Sequence, residues 1–177
     1  MSAQAEKQTG YPSIDKPWLK YYTDEMKEAV LPELSMYQYV YENNREHGGY
    51  TALNYFGRKI SYAEFFGRVR AAAQAFKKMG VKKGSTVTIM SMHTPETIVS
   101  IYALNYLGAV ANMIYMTLTS KEIIEYINKT ESVMFMYLST ASDTVVSIKD
   151  EIKVPVVYFS PVQSMPFVLK TVLKLKS

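Results

Sequence analysis

With 177 residues, 48% of them hydrophobic and 20% charged, the chain can form one domain with a core plus an appendage, and its composition excludes a disordered polymer. It has no cysteine, which excludes disulfides, thiolate zinc centres and a Cys nucleophile. The net charge of +4 excludes little by itself, but Lys170, Lys174 and Lys176 follow Pro161 without any acid, while the preceding residues intersperse both signs. A nucleic-acid partner, which would need clustered Lys and Arg, is therefore not expected.

The first residues, MSAQAEKQTG, are polar and lack the apolar stretch of a signal peptide. No apolar run approaches the roughly 20 residues that span a bilayer, so a cytoplasmic location is expected. Residues 1–34 read as an extension, with an aromatic, mixed-charge segment from Pro17 to Glu33. Ser35 caps a predicted helix through about His47, with Tyr37, Val40 and Tyr41 on one face and Gly48-Gly49 ending it. Thr51–Phe56 reads as a strand, Gly57-Arg58 as a turn and Lys59-Ile60 as the return of a hairpin. Ser61 with Glu64 predicts a capping box opening a helix to Met79. Phe65, Phe66, Val69, Ala72, Ala73, Phe76 and Met79 recur there at steps that build one apolar stripe.

Thr86–Ser91 predicts a strand, and Thr94-Pro95 the cap and first position of a helix through Leu107. That helix is apolar nearly all round, which requires cover on more than one side. Further strands are predicted at Ala109–Ile114, Val133–Leu138 and Val154–Phe159, with helices at Ser120–Thr130 and around Ser142–Ile152. This alternation predicts an α/β fold for residues 35–160, with a mostly parallel sheet and helices on both faces. Residues 161–177 read as a basic amphipathic tail, with Phe167, Val168, Val172, Leu173 and Leu175 between the lysines. It is short and lacks Trp, so membrane-surface binding is not the expected role.

Candidate chemistry is sparse. Backbone cradles for phosphate need glycines, yet the last glycine is Gly108. Gly80-Val-Lys-Lys-Gly84-Ser85 has the wrong spacing for a phosphate loop, and it follows a helix where a strand is required. It reads as a helix cap and turn. His93 sits between a strand and a helix, where open α/β sheets collect ligands. His47 and the first-turn Glu96 are already explained by helix dipoles. No catalytic residue and no metal ligand is assigned.

GRKISYAEF from Gly57, KKMGVKKGSTVTIMSMHTPETIVSIYALNYLGAVANMI from Lys77 and LTSKEIIEYINKTESVMFMY from Leu118 together resemble the ANL superfamily of adenylating enzymes. The likeness covers about Ser35–Leu138. PWLKYY and Asn112-Met113-Ile114 are most similar to its acyl-CoA synthetases. The resemblance implies a partial N-terminal domain, with the phosphate loop, acyl pocket and catalytic lysine of that family falling beyond the matched region. The parent enzyme would use ATP, Mg and CoA to adenylate a carboxylic acid and then form its thioester. The fragment alone would need no cofactor and be inert. Its partners would be the C-terminal remainder of the enzyme and, in a homodimer, a second copy. In CoA-forming relatives, the loop matching Tyr115, Met116, Thr117 and Leu118, together with the helix position of Tyr126, approaches the CoA nucleotide. The glycines and the Arg of that pattern are absent here. A standalone α/β module that binds a partner without catalysis is the alternative reading.

Overall fold

The computed structural model describes residues 9–30 and 32–174. The chain divides into two compact units, Met1–Glu33 and Leu34–Ser177. In the first unit, helix α1 (Pro12–Asp15) and a 3-10 turn (Pro17–Tyr21) each begin with proline, and Thr23 caps α2 (Asp24–Glu28). Asp15 accepts hydrogen bonds from the Thr9 and Gly10 backbone and from the Thr9 hydroxyl, each 2.8 Å long. These bonds, the Thr9 backbone first, hold its carboxyl below the usual carboxylate range.

The second unit opens with α3 (Met36–Asn44), where Ser35 and Gln38 form a capping box, followed by a short 3-10 turn to His47. Strands β1 (Thr51–Tyr55) and β2 (Arg58–Ser61) make an antiparallel hairpin. Its turn lies one residue earlier than the sequence suggests. Phe56 and Gly57 both take positive φ, 51° and 84°, as a two-residue turn matched to strand twist demands. The Asn54 carboxamide oxygen accepts from the Gly57 amide at 3.2 Å and steadies that turn.

Helix α4 (Tyr62–Lys78) starts at Ser61, whose hydroxyl accepts from the Glu64 amide at 3.2 Å. Only that half of the expected capping box forms. The Glu64 carboxylate is taken instead by Arg58 at 3.0 Å and Arg68 at 2.6 Å, because charge-assisted bonds outcompete a neutral backbone donor. Ser61→Ala should consequently lower stability by about 1 kcal/mol, the usual loss for a cap, measured by urea denaturation. The stripe of α4 buries Phe65, Phe66, Val69, Ala73 and Phe76 as expected, but Met79 lies past the helix end and is exposed.

The main sheet contains β3 (Thr86–Met90), β4 (Val110–Ile114), β5 (Met134–Leu138) and β6 (Val156–Phe159), in the order β4-β3-β5-β6 and all parallel. Alternate residues of its central strands feed two separate cores, which is the period-2 signature of a sheet covered on both faces. Val87, Ile89, Met134 and Met136 pack with α4 and with α5 (Pro95–Tyr106). Met90, Phe135 and Tyr137 pack with Ile123 and Ile127 of α6 (Ser120–Lys129) and Val145 of α7 (Ser142–Ser147). The fold is the expected α/β architecture. Helix α5 is covered as its composition requires: by the sheet below, by α4 beside it, and by α3, whose Tyr37 amide donates to the Asn105 oxygen at 2.7 Å.

Helix α7 ends at Ser147, short of the expected helix around Ser142–Ile152. Beyond Ser147 the chain continues in three-residue turns, Ile148 to Val145 and Ile152 to Lys149, which still bury Ile148 and Ile152. Thr88 is fully buried in the middle of β3. It is satisfied by Ser132 at 2.7 Å and by the Asn112 amide at 2.9 Å, tying the strand to β4 and to the loop after α6. Thr88→Val keeps the volume but removes the hydroxyl that bonds both partners, leaving them only Thr130, at 2.8 Å from Ser132 and 3.5 Å from the Asn112 amide. A loss of about 1–3 kcal/mol is expected in the same denaturation assay.

Burial raises the hydroxyls of Tyr37, Tyr55 and Tyr102 above the ordinary tyrosine value. The unfolded chain releases these protons first, so their contribution to stability is complete below the unfolded value of 10.0 and declines as pH rises through the folded ones. Denaturation midpoints should therefore hold up to about pH 10 and fall above it, more steeply than in Tyr37→Phe.

After β6, a 3-10 turn (Pro161–Ser164) is seated on the body and α8 (Phe167–Lys174) follows. Ser164 is fully buried, accepting from Arg68 at 2.8 Å and donating to Glu96 at 2.5 Å. Arg58 also donates to the Gln163 carbonyl at 3.2 Å. The other Glu96 oxygen is buried without a hydrogen-bond partner among the described residues. On α8, Phe167 and Val168 are exposed; the expected tail residue Leu175 lies outside the described residues. No helix among the described residues is long and apolar enough to cross a membrane.

Candidate functional site

Parallel sheets collect ligands at the carboxyl ends of their strands, where loops and helix starts converge. Here the loops leaving β3 and β4 border a cavity of about 660 Å³, within the range of small-molecule sites. The β3 loop is tight because Met92 acts as its hub. The Met92 carbonyl accepts from the Thr94 amide at 2.9 Å, from the Ser91 hydroxyl at 2.9 Å and from the Thr97 hydroxyl at 2.8 Å. Thr94 in turn caps α5 by accepting from the Thr97 amide at 3.2 Å. This geometry turns the His93 side chain out to solvent at the cavity wall.

The opposite wall comes from β4 and its loop. Ile114 is buried, Tyr115 is 80% exposed, and Met116 is half-buried against the lower core, the one between the sheet and helices α6 and α7. Thr119 and Glu122 close the loop with a full capping box at the start of α6. The Thr119 hydroxyl and backbone hydrogen bonds hold the Glu122 carboxyl below its ordinary value. Ile98 and Ile101 of α5 and Met113 of β4 supply the remaining apolar surface.

Of the residues expected near a nucleotide, Tyr115, Met116 and Thr117 line this cavity, and so does His93. Leu118 instead packs into the lower core, and Tyr126 lies on α6, 43% exposed and apart from the cavity lining. Sequence reasoning missed Met92, Ile98, Ile101 and Met113. The signal was the all-round apolar character of α5, since a helix covered by sheet and neighbours still carries two isoleucines on the side facing the cavity. It also missed the cluster joining Arg58, Glu64, Arg68, Glu96 and Ser164, whose members come together only through tertiary folding.

What this site can hold follows from its donors. None of the lining residues is Lys, Arg, Asp or Glu. Among the described residues, no group of three or more His, Cys, Asp or Glu could hold a metal ion. The residues that line the cavity therefore do not fit ATP with Mg: they include neither a glycine for a phosphate cradle nor a carboxylate for the ion.

Residues 40–171 match the family described as AMP-binding enzyme. A 2-succinylbenzoate–CoA ligase of Oceanobacillus iheyensis is 39% identical over 67 residues, 38% of this chain and 14% of that protein. Among solved structures, the anthranilate CoA ligase AuaEII in complex with anthranoyl-AMP superposes with a TM-score of 0.67 at 19% identity, covering 72% of this chain and 25% of that one. A benzoate CoA ligase from Burkholderia xenovorans LB400 gives a TM-score of 0.67 at 18% identity, over 73% of this chain and 26% of that one. At such identities the superpositions establish a shared fold. The chain thus spans about a quarter or less of the length of these three relatives.

Proposed function

The chain belongs to the AMP-binding enzyme family, and from that premise we propose that it supplies part of the N-terminal α/β domain of an AMP-forming acyl-CoA synthetase. The observation that carries this reading is the family match across residues 40–171, supported by relatives that are named as CoA ligases or acetyl-CoA synthetases. In the complete enzyme, a carboxylate would attack ATP to give an acyl-adenylate and pyrophosphate, and CoA would then displace AMP. The groups that hold ATP and Mg would come from outside these 177 residues, because the residues present do not fit them.

The role of this segment is structural support for that chemistry. The two cores fix the carboxyl ends of β3 and β4, and the loop Tyr115–Leu118, with Tyr126 on the neighbouring helix, would border the thiol cofactor. With no cation among the first four, CoA contacts here would be made by aromatic and apolar surface rather than by phosphate recognition.

The test is to express the reading frame together with any coding sequence that follows Ser177. If a longer product exists, it should convert ATP to AMP only when both a carboxylic acid and CoA are present. A longer product that forms no AMP with carboxylates from acetate to long-chain fatty acids, or that releases ADP instead, would overturn the reading.

A further inference from the structure

We propose that the cleft between the start of α3 and the end of α5 binds a small phosphomonoester, with the phosphate at Lys83 and the organic part against the ring of Tyr106. This space of about 500 Å³ lies at the amino ends of β3 and β4, since Lys83 and Gly108 precede those strands, and so at the opposite end of the sheet from the loops described above. Its polar side chains offer donors. The Gln38 oxygen accepts from the Ser35 amide at 2.9 Å, and the Asn105 oxygen accepts from the Tyr37 amide at 2.7 Å. Each carboxamide thus has its NH2 left to offer, and neither NH2 is a buried orphan. The Ser35 oxygen already accepts from the Gln38 amide at 3.2 Å, which leaves its proton. Lys83 forms no ion pair among the described residues. Its stem lies across Gly108, where φ is 70° and a Cβ would meet Lys83 Cγ at 3.0 Å. The Gly84 amide clips that turn to the Gly108 carbonyl at 2.8 Å, and the Lys82 amide donates to the Ser85 hydroxyl at 3.0 Å. Those amides are spent, so side chains hold the anion. The positive end of α3 favours it and the negative end of α5 opposes it; a helix end carries about half an elementary charge, which one lysine outweighs. The sequence between Glu64 and Glu96 adds five further cations, Lys82 among them, and no acid. Donors on several sides of a cation match a phosphate's three oxygens better than a carboxylate's two. The cleft exceeds a bare phosphate, and Tyr106, 44% exposed and edge-on to Tyr37 at 4.9 Å, supplies an apolar wall for the rest of the ligand.

Calorimetric titration of the 177-residue chain with phenyl phosphate, inorganic phosphate and benzoate tests this. Phenyl phosphate should bind saturably in the millimolar range. Inorganic phosphate, which cannot reach Tyr106, should bind about fivefold more weakly, and benzoate about tenfold more weakly. Lys83→Gln should weaken phenyl phosphate by about tenfold or more, the value of one charge-assisted contact. Lys82→Gln, at the exposed neighbour that does not line the cleft, should leave the affinity within about twofold. Asn105→Asp can still accept from the Tyr37 amide but puts a negative oxygen where the NH2 stood, so it should fold and abolish binding. Should it fail to fold, Gln38→Glu makes the same exchange on an exposed side chain. Absence of saturable binding, equal losses in Lys82→Gln and Lys83→Gln, or undiminished binding by the Asp or Glu variant would overturn the site. Inorganic phosphate or benzoate that binds as tightly as phenyl phosphate would overturn the ligand class.

Discussion

Phe76→Ala is expected to lower the unfolding free energy by about 3–5 kcal/mol, a large part of the 5–15 kcal/mol that holds a typical domain. Phe76 is 4% exposed at the last buried position of the α4 stripe, in the core that joins α4 and α5 to the upper face of the sheet. Truncation removes the ring from a closely packed interior that relaxes only partly, so the lost transfer energy and the residual cavity both count. Urea denaturation monitored by circular dichroism measures the change. An unchanged midpoint would mean that the buried face of α4 has been misassigned.

Phe135→Ala should cost a similar amount through the other core. Phe135 is fully buried in β5, stacks on Tyr137 at 6.1 Å, and faces α6 and α7. Because the sheet separates the two phenylalanines into different cores, their effects should add to within about 0.5 kcal/mol in the double variant. Where the double variant is too unstable to fold, Val99→Ala with Ile127→Val gives a gentler pair on the same two faces. Strong non-additivity would contradict a sheet with two independent cores.

The elements that were legible in the sequence were those fixed by local physics. The stripe of α4, the caps Ser35, Ser61 and Thr94, and the strand–helix alternation all depend on residues within a few positions of one another. The hairpin turn was displaced by one residue because Phe56, an unusual occupant of positive φ, gives no local sign that it will adopt it. The half-formed capping box at Glu64 has a different cause. Its carboxylate is captured by Arg58 and Arg68, and those same arginines reach Gln163 and Ser164 across 105 and 96 residues of sequence. No window on the sequence contains that competition. The candidate site divides along the same line. Tyr115, Met116 and Thr117 are reached through the resemblance to CoA-forming relatives, and His93 through its place after a strand, whereas Ile98, Ile101 and Met113 join them only once α5 lies beside β4.

The central claim is that these residues carry the fold of an adenylating enzyme without the groups that handle ATP. ATP–pyrophosphate exchange on the purified 177-residue chain, with Mg and a panel of carboxylic acids, tests it most directly. No exchange above background is expected with any acid, since no glycine follows Gly108 to cradle phosphate and no described carboxylate cluster could hold the ion. Exchange that co-purifies with the chain and disappears in Phe76→Ala or Phe135→Ala would show that an ATP site lies within it, and would contradict the claim.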